Sequence, residues 1–242
     1  MLNAKLMLLA MFLCTLATLA ASHAGEAKPG FRRFVLKDAD GKEAPYFVFV
    51  PHGYKGDKAY PVILFLHGAG ETSNEKKLLQ VGLGPAVKKR EKNFPFIAVF
   101  PLALERDWKS DNGKRAIAIL DEVKKTFKVD DKRIYLTGLS MGGYGTWSLA
   151  VAHPDRWAAI APICGGGDPS KADNIKHIPC WCFHGDADKA VPVEKSREMI
   201  KALKDAGGKP RYDEYPGVGH NSWDRAYGND ELYTWFLKHK LK

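Results

Sequence analysis

Two segments of the chain, residues 61–66 (PVILFL) and 96–100 (FIAVF), are apolar at every position. A strand with one solvated face alternates polar and apolar side chains. A continuously apolar run of strand length therefore needs cover on both of its faces. Helices must supply that cover, and the sequence contains them. Residues 116–127 set Ile117, Leu120, Val123 and Phe127 on one stripe. Helices are also expected at 141–152, at 192–206, where Gly207-Gly208 ends the run, and at 231–238. Further strands are expected at 44–50, with 31–36 as its partner, and at 133–136, 158–163, 178–183 and 211–215. Strands alternating with helices predict an α/β fold, with a mostly parallel central sheet and helices on both faces. The 242 residues contain no internal repeat and no low-complexity linker, so one domain over residues 25–242 is expected. Ligands in such sheets bind beyond the carboxyl ends of the strands.

The one long apolar run outside this pattern is residues 6–20, preceded by Lys5 and followed by Ser22-His23-Ala24. Charge, apolar stretch and small residues in that order predict a signal peptide over residues 1–24, cleaved after Ala24. A secreted or periplasmic protein without stable membrane association after cleavage is expected. That compartment permits disulfides, and Cys164, Cys180 and Cys182 remain after cleavage. Cys180 and Cys182 share one strand face and are not expected to pair. Either Cys164 bridges to one of them, or all three are buried small hydrophobes. No Cys-x2-Cys or His-x3-His spacing accompanies them, and no metal is expected. The net charge of +9 is spread along the chain. Its densest clusters, residues 88–92 (KKREK) and 238–242 (KHKLK), carry no interleaved aromatics. They read as solvated helix faces, not as a nucleic-acid groove.

The loops after the strands hold the chemistry. Gly138-Leu139-Ser140-Met141-Gly142 follows one strand and opens a helix. In that setting G-x-S-x-G forces its serine into a strained turn at the sheet edge, above a helix N-terminus that favours negative charge. Ser140 is the expected nucleophile, and a serine hydroxyl needs a base. Of the eight histidines, His220 lies in the glycine-flanked loop after the last strand, whereas His67 and His184 each precede a glycine at a strand end, where packing is expected. The base needs a carboxylate. Asp188 is the first choice, with Asp186 and Asp168 as alternatives. The oxyanion donors are expected to be the amides of Met141 and Ala69, with Gly70 next in line. Trp108, Tyr144 and Trp223 are candidate pocket residues, and Trp147 is expected in the core. Glu71 reads as a surface side chain, with anchoring of an amino terminus as its alternative use.

The segments TGLSMGGYGTW (137–147), LHGAGE (66–71), FHGDAD (183–188) and GVGHNSW (217–223) together resemble the α/β-hydrolase superfamily. Within it they are similar to exported esterases related to dienelactone hydrolases, phospholipase/carboxylesterases and feruloyl- or polyhydroxybutyrate-type esterases, a group often labelled prolyl-oligopeptidase-like. The resemblance implies an α/β-hydrolase fold with Ser140, Asp188 and His220 as its triad. The short segment between Ile163 and Ile178 leaves no room there for a large lid domain. The expectation is a monomeric esterase without a cofactor, acting on a small-molecule or polysaccharide-linked ester such as acetyl or feruloyl. Peptide hydrolysis by the same triad is the alternative, and a non-catalytic carbohydrate-binding module a third.

Overall fold

The computed structural model describes residues 28–37 and 41–242. The expected signal peptide at residues 1–24 lies outside them. In chain order the elements are β1 (Gly30–Lys37), β2 (Glu43–Val50), β3 (Tyr60–Leu66), α1 (Leu83–Lys89), β4 (Ile97–Pro101), α2 (Asp111–Thr126), β5 (Val129–Leu139) and α3 (Met141–Ala152). Then follow β6 (Ala159–Ile163), α4 (Ala172–Ile175), β7 (Trp181–Gly185), α5 (Glu194–Asp205), β8 (Arg211–Tyr215), α6 (Ser222–Gly228) and α7 (Asp230–Lys238).

The strands form one sheet in the order β1-β2-β4-β3-β5-β6-β7-β8. β2 pairs antiparallel with both β1 and β4, and every other pairing is parallel. This is the α/β-hydrolase fold. The side-chain alternation of β3 explains its apolar sequence. Val62, Leu64 and Leu66 enter a core with α2, α3 and α5, and Ile63 and Phe65 enter a second core with α1, α6 and α7. Both faces are dry, so every position of the strand is apolar.

Several elements differ from their sequence expectation. Helix α2 begins at Asp111, not near Ala116, because a polar start supports the extra turn. Asp107 Oδ1 accepts the amides of Lys109 and Ser110 at 2.9 and 3.0 Å, and Asn112 is buried, holding the amide of Leu104 at 3.0 Å. Strand β5 extends back to Val129, which pairs with Tyr60 across a register shift. Helices α1 and α6, with Gly84-Pro85 and a mostly polar run respectively, have no counterpart among the expected helices, apart from the helix face read at residues 88–92. Tertiary packing overrides those propensities. Among the described residues no helix is long and apolar enough to cross a membrane. Cys164, Cys180 and Cys182 are free and buried. Cys164 sits in one core and the other two in the core across the sheet, so no bridge to Cys164 forms.

Candidate active site

The turn between β5 and α3 is a single residue, Ser140, the expected nucleophile. β5 ends at Leu139, α3 begins at Met141, and Ser140 between them has φ 53° and ψ −117°. A side chain disfavours that region. The amide of Ser140 donates to Ile163 O at 3.0 Å, and its carbonyl accepts Tyr144 N at 3.0 Å. Helix α3 can start so close to the strand ends because of its glycines. A Cβ on Gly142 would stand 1.9 Å from Leu66 O, and one on Gly143 2.3 Å from Ile163 O.

Three loops converge on this turn. His220, in the loop between β8 and α6, has Nε2 2.9 Å from Ser140 Oγ. Its Nδ1 lies 2.7 Å from Asp188 Oδ2 in the loop after β7. Oδ1 of Asp188 accepts the amides of Ala190 and Val191 at 2.8 and 2.9 Å. Burial pushes the Asp188 pKa up, but the hydrogen bonds from His220, Val191 and Ala190 outweigh it and hold the carboxyl below its ordinary range. An ionised Asp188 fixes a hydrogen on His220 Nδ1 and leaves Nε2 bare toward the serine. Loop closure again depends on a glycine, since a Cβ on Gly185 would stand 2.1 Å from Val218 O.

The loop after β3 faces the nucleophile from the other side. Ala69 opens a short 3-10 turn (Ala69–Glu71), and Met141 opens α3. Amides at such positions have no acceptor inside their helix. Both residues line one open cavity of about 440 Å³, with Arg106, Asp107, Trp108, Lys109, Tyr144 and Gly145. Two contacts hold the loop. His67 Nε2 accepts the amide of Ala103 at 2.9 Å while Nδ1–H donates to Gly68 O at 2.6 Å. The Trp108 indole N–H donates to His67 O at 3.0 Å. Burial lowers the His67 pKa to about 4, so the ring is neutral and structural, as its sequence position suggests.

The expected residues therefore divide. Ser140, His220 and Asp188 come together, with Met141, Ala69, Trp108 and Tyr144 beside them. Gly70 is exposed and is not part of the cavity lining, because the 3-10 turn carries it outward. Trp223 packs edge-on against the His220 ring, centroids 5.2 Å apart, so it supports the base. Trp147 is in the core. Asp186 Oδ1 holds the amide of Gly217 at 2.7 Å, and Asp168 caps the turn Pro169–Lys171. Neither meets His220. Glu71 is not a surface residue: it is 7% exposed, tucked behind Gly68, and burial raises its pKa against a hydrogen bond from the Gly68 amide.

Other residues at the site gave no local signal. The polar rim at Arg106, Asp107 and Lys109 is brought in only by the path of the chain after β4. Cys164, with φ 39°, places its Sγ within 4.8 Å of ligand-capable atoms of both Asp188 and His220. His184 turns out to touch Asp188 (Nε2 to Oδ2, 3.2 Å).

Comparison with known proteins bears on the family and the fold. A probable feruloyl esterase C of Aspergillus terreus is 26% identical over 68% of this chain and 61% of its own length. A bifunctional acetylxylan esterase/xylanase of Neocallimastix patriciarum is 29% identical over 48% of this chain, which spans only 17% of that protein. Among solved structures, a thermostable esterase superposes with TM-score 0.81 at 36% identity, over 87% of this chain and 63% of that one. A feruloyl esterase module of Clostridium thermocellum matches at TM-score 0.66 and 20% identity, over 89% of this chain and 88% of that one; at that identity the likeness is one of fold. The pattern of the dienelactone hydrolase family runs through residues 42–227, from β2 through the Ser140 turn and the loops of Asp188 and His220 into α6, and the chain belongs to that family.

Proposed function

We propose that this protein is a serine hydrolase of carboxylic esters, exported, and acting on a bulky or polysaccharide-linked ester such as an acetyl or feruloyl group. The observation that carries the reading is the unbroken relay from Ser140 Oγ through His220 to Asp188, at 2.9 and 2.7 Å, next in the chain to Met141, which with Ala69 lines the neighbouring cavity. The names of the relatives support the choice of acyl groups.

In this reading Ser140 Oγ attacks the ester carbonyl as its proton passes to His220 Nε2. The oxygen of the tetrahedral intermediate takes the negative charge beside the Met141 and Ala69 amides, and each such donor is worth about 10²–10³ in turnover. His220 returns the proton to the departing alcohol, leaving an acyl-Ser140. Water, deprotonated by His220, then attacks the acyl carbon, and the serine regains its proton. Asp188 stabilises the imidazolium in both halves. Trp108 is 1% exposed and packs in the core, so the wall left for a flat acyl group is Tyr144, and the open mouth of the cavity admits a polymer-borne alcohol.

The test is initial rates on p-nitrophenyl acetate and butyrate, then on methyl ferulate and acetylated xylan, for residues 25–242 beside Ser140→Ala. Turnover abolished in the variant is expected. A rate that survives Ser140→Ala, or hydrolysis of aminoacyl anilides but no ester, overturns the reading.

A further inference from the structure

Asp188 holds a second imidazole besides that of His220. His184, the penultimate residue of β7, is fully buried. Its Nε2 is 3.0 Å from Val191 O and 3.2 Å from Asp188 Oδ2, and its Nδ1 is 2.7 Å from Ser196 Oγ on α5. The partners dictate the protons. A carbonyl and an ionised carboxylate only accept, so Nε2 bears the hydrogen and shares it between them. Burial holds the ring neutral, so Nδ1 is bare and takes the Ser196 hydroxyl hydrogen. Ser196 Oγ in turn accepts from the Cys182 thiol at 3.3 Å, and Gly165 O, at 3.2 Å, is the farther of the two acceptors within reach of its hydrogen. Asp188 thus accepts three hydrogen bonds, from the amides of Ala190 and Val191 on Oδ1 and from the His220 imidazole on Oδ2, and the His184 Nε2–H adds a longer electrostatic contact to Oδ2 at 3.2 Å. His184 itself touches neither Ser140 nor the lining of the cavity.

We propose that His184 is a positioning residue that acts through Asp188. Its Nε2–H pins Oδ2 where His220 must find it. It also occupies part of that oxygen's accepting capacity, and so limits how strongly Asp188 stabilises a charged His220. Ser196 sets the ring's tautomer, which makes α5 part of the catalytic support. The other titratable groups that face this cluster are Cys164 after β6, Cys182 on β7, Glu214 on β8 and Tyr144 on α3. None of these four hydrogen-bonds to the Asp188 carboxylate. The kinetic arm of this inference rests on the esterase reading, but its structural arm does not.

Two substitutions separate the roles. Glutamine can place an amide N–H where Nε2 stands, whereas asparagine reaches only the Nδ1 position beside Ser196. Titration of the His220 ring followed by NMR in resting protein needs no substrate. His184→Asn should raise the midpoint by roughly half a pH unit or more, and His184→Gln should leave it at the wild-type position. The acid limb of kcat/KM on p-nitrophenyl butyrate should move in parallel, with kcat falling and KM nearly unchanged. Equal shifts in both folded variants, or none in either, overturn the proposal. In the unsubstituted protein, long-range nitrogen–proton correlation should find His184 as the Nε2–H tautomer, with that proton moving in Asp188→Asn. An Nδ1–H tautomer overturns the proposal even if the His184 variants do not fold. An NMR shift without any ester turnover sinks the esterase reading and leaves the coupling standing.

Discussion

His220 Nδ1 lies 2.7 Å from Asp188 Oδ2, and while the imidazole keeps 28% of its side-chain surface exposed, the carboxylate has none. The hydrogen bond is therefore shielded on the acid's side and open on the side where substrate arrives. Asp188→Asn would keep the shape and reverse the polarity. Its oxygen would satisfy the amides of Ala190 and Val191, and its NH₂ would face Nδ1. His220 would then carry its hydrogen on Nε2 and be unable to accept from Ser140. Steady-state kinetics should show kcat down by about 10⁴ with little change in KM. Ser140→Ala should cost on the order of 10⁶.

His67 couples the loop after β3 to pH. Its pKa falls from 6.5 in the unfolded chain to about 4 in the folded one. A depressed base means that the unfolded state binds the extra proton first. The stability it contributes is complete above pH 6.5 and drains away as pH falls toward 4. The loss at pH 4.5 should be roughly 2–3 kcal/mol. Urea unfolding at pH 7.5 and 4.5 should show it, and His67→Gln should flatten the dependence. An unchanged slope in the variant would assign the acid sensitivity elsewhere, the depressed carboxyl of Asp188 being next, with its loss at still lower pH.

The meeting of Ser140, His220 and Asp188 is legible in the sequence because its signals are local. A serine between glycines at a strand-to-helix turn has few other uses, Asp188 follows the apolar run of β7, and His220, after the polar strand β8, is marked by the glycines of its own loop. The strands were legible for the same reason: β3 and β4 are apolar throughout because both of their faces are covered. What escaped depends on distant parts of the chain. Nothing near Glu71 says that the loop around Gly68 will bury it, or that a carboxylate four residues on will meet His184. Helix α6 carries three residues that face the core, Ser222, Ala226 and Tyr227, too few to show a period in a polar run. Gly70 was misjudged because neighbouring residues of a 3-10 turn point in different directions.

The three thiols should be silent in the folded protein. Burial pushes Cys164 and Cys182 up to about 12 and Cys180 well above its ordinary value, so thiolate is scarce and reagents cannot reach it. Iodoacetamide at pH 8 should label none of them in native protein and all three in guanidinium, without a reductant. Fewer than three labels in the unfolded protein would reveal an oxidised pair. Loss of activity during native labelling would indicate that Cys164, beside His220, opens to solvent.

Gly142→Ala sets helix propensity against packing. Alanine in place of glycine inside a helix favours folding by about 1 kcal/mol. Here, however, the new methyl would lie 1.9 Å from Leu66 O and 2.8 Å from His67 O. A normal contact requires α3 and the loop after β3 to part by about 1.5 Å, and that loop carries Ala69. Separation would pull the Ala69 amide away from the Met141 amide, so stability and turnover should fall together. Thermal unfolding should show about 2–4 kcal/mol of destabilisation, and kcat should drop about 10²-fold, as for the loss of one oxyanion donor. Gly228→Ala is the control, since nothing lies within 4 Å of a Cβ at that exposed helix end; its stability should be unchanged or slightly higher. A folded Gly142→Ala with full kcat would mean that the two amides do not depend on this close approach, and would remove Ala69 from the proposed oxyanion site.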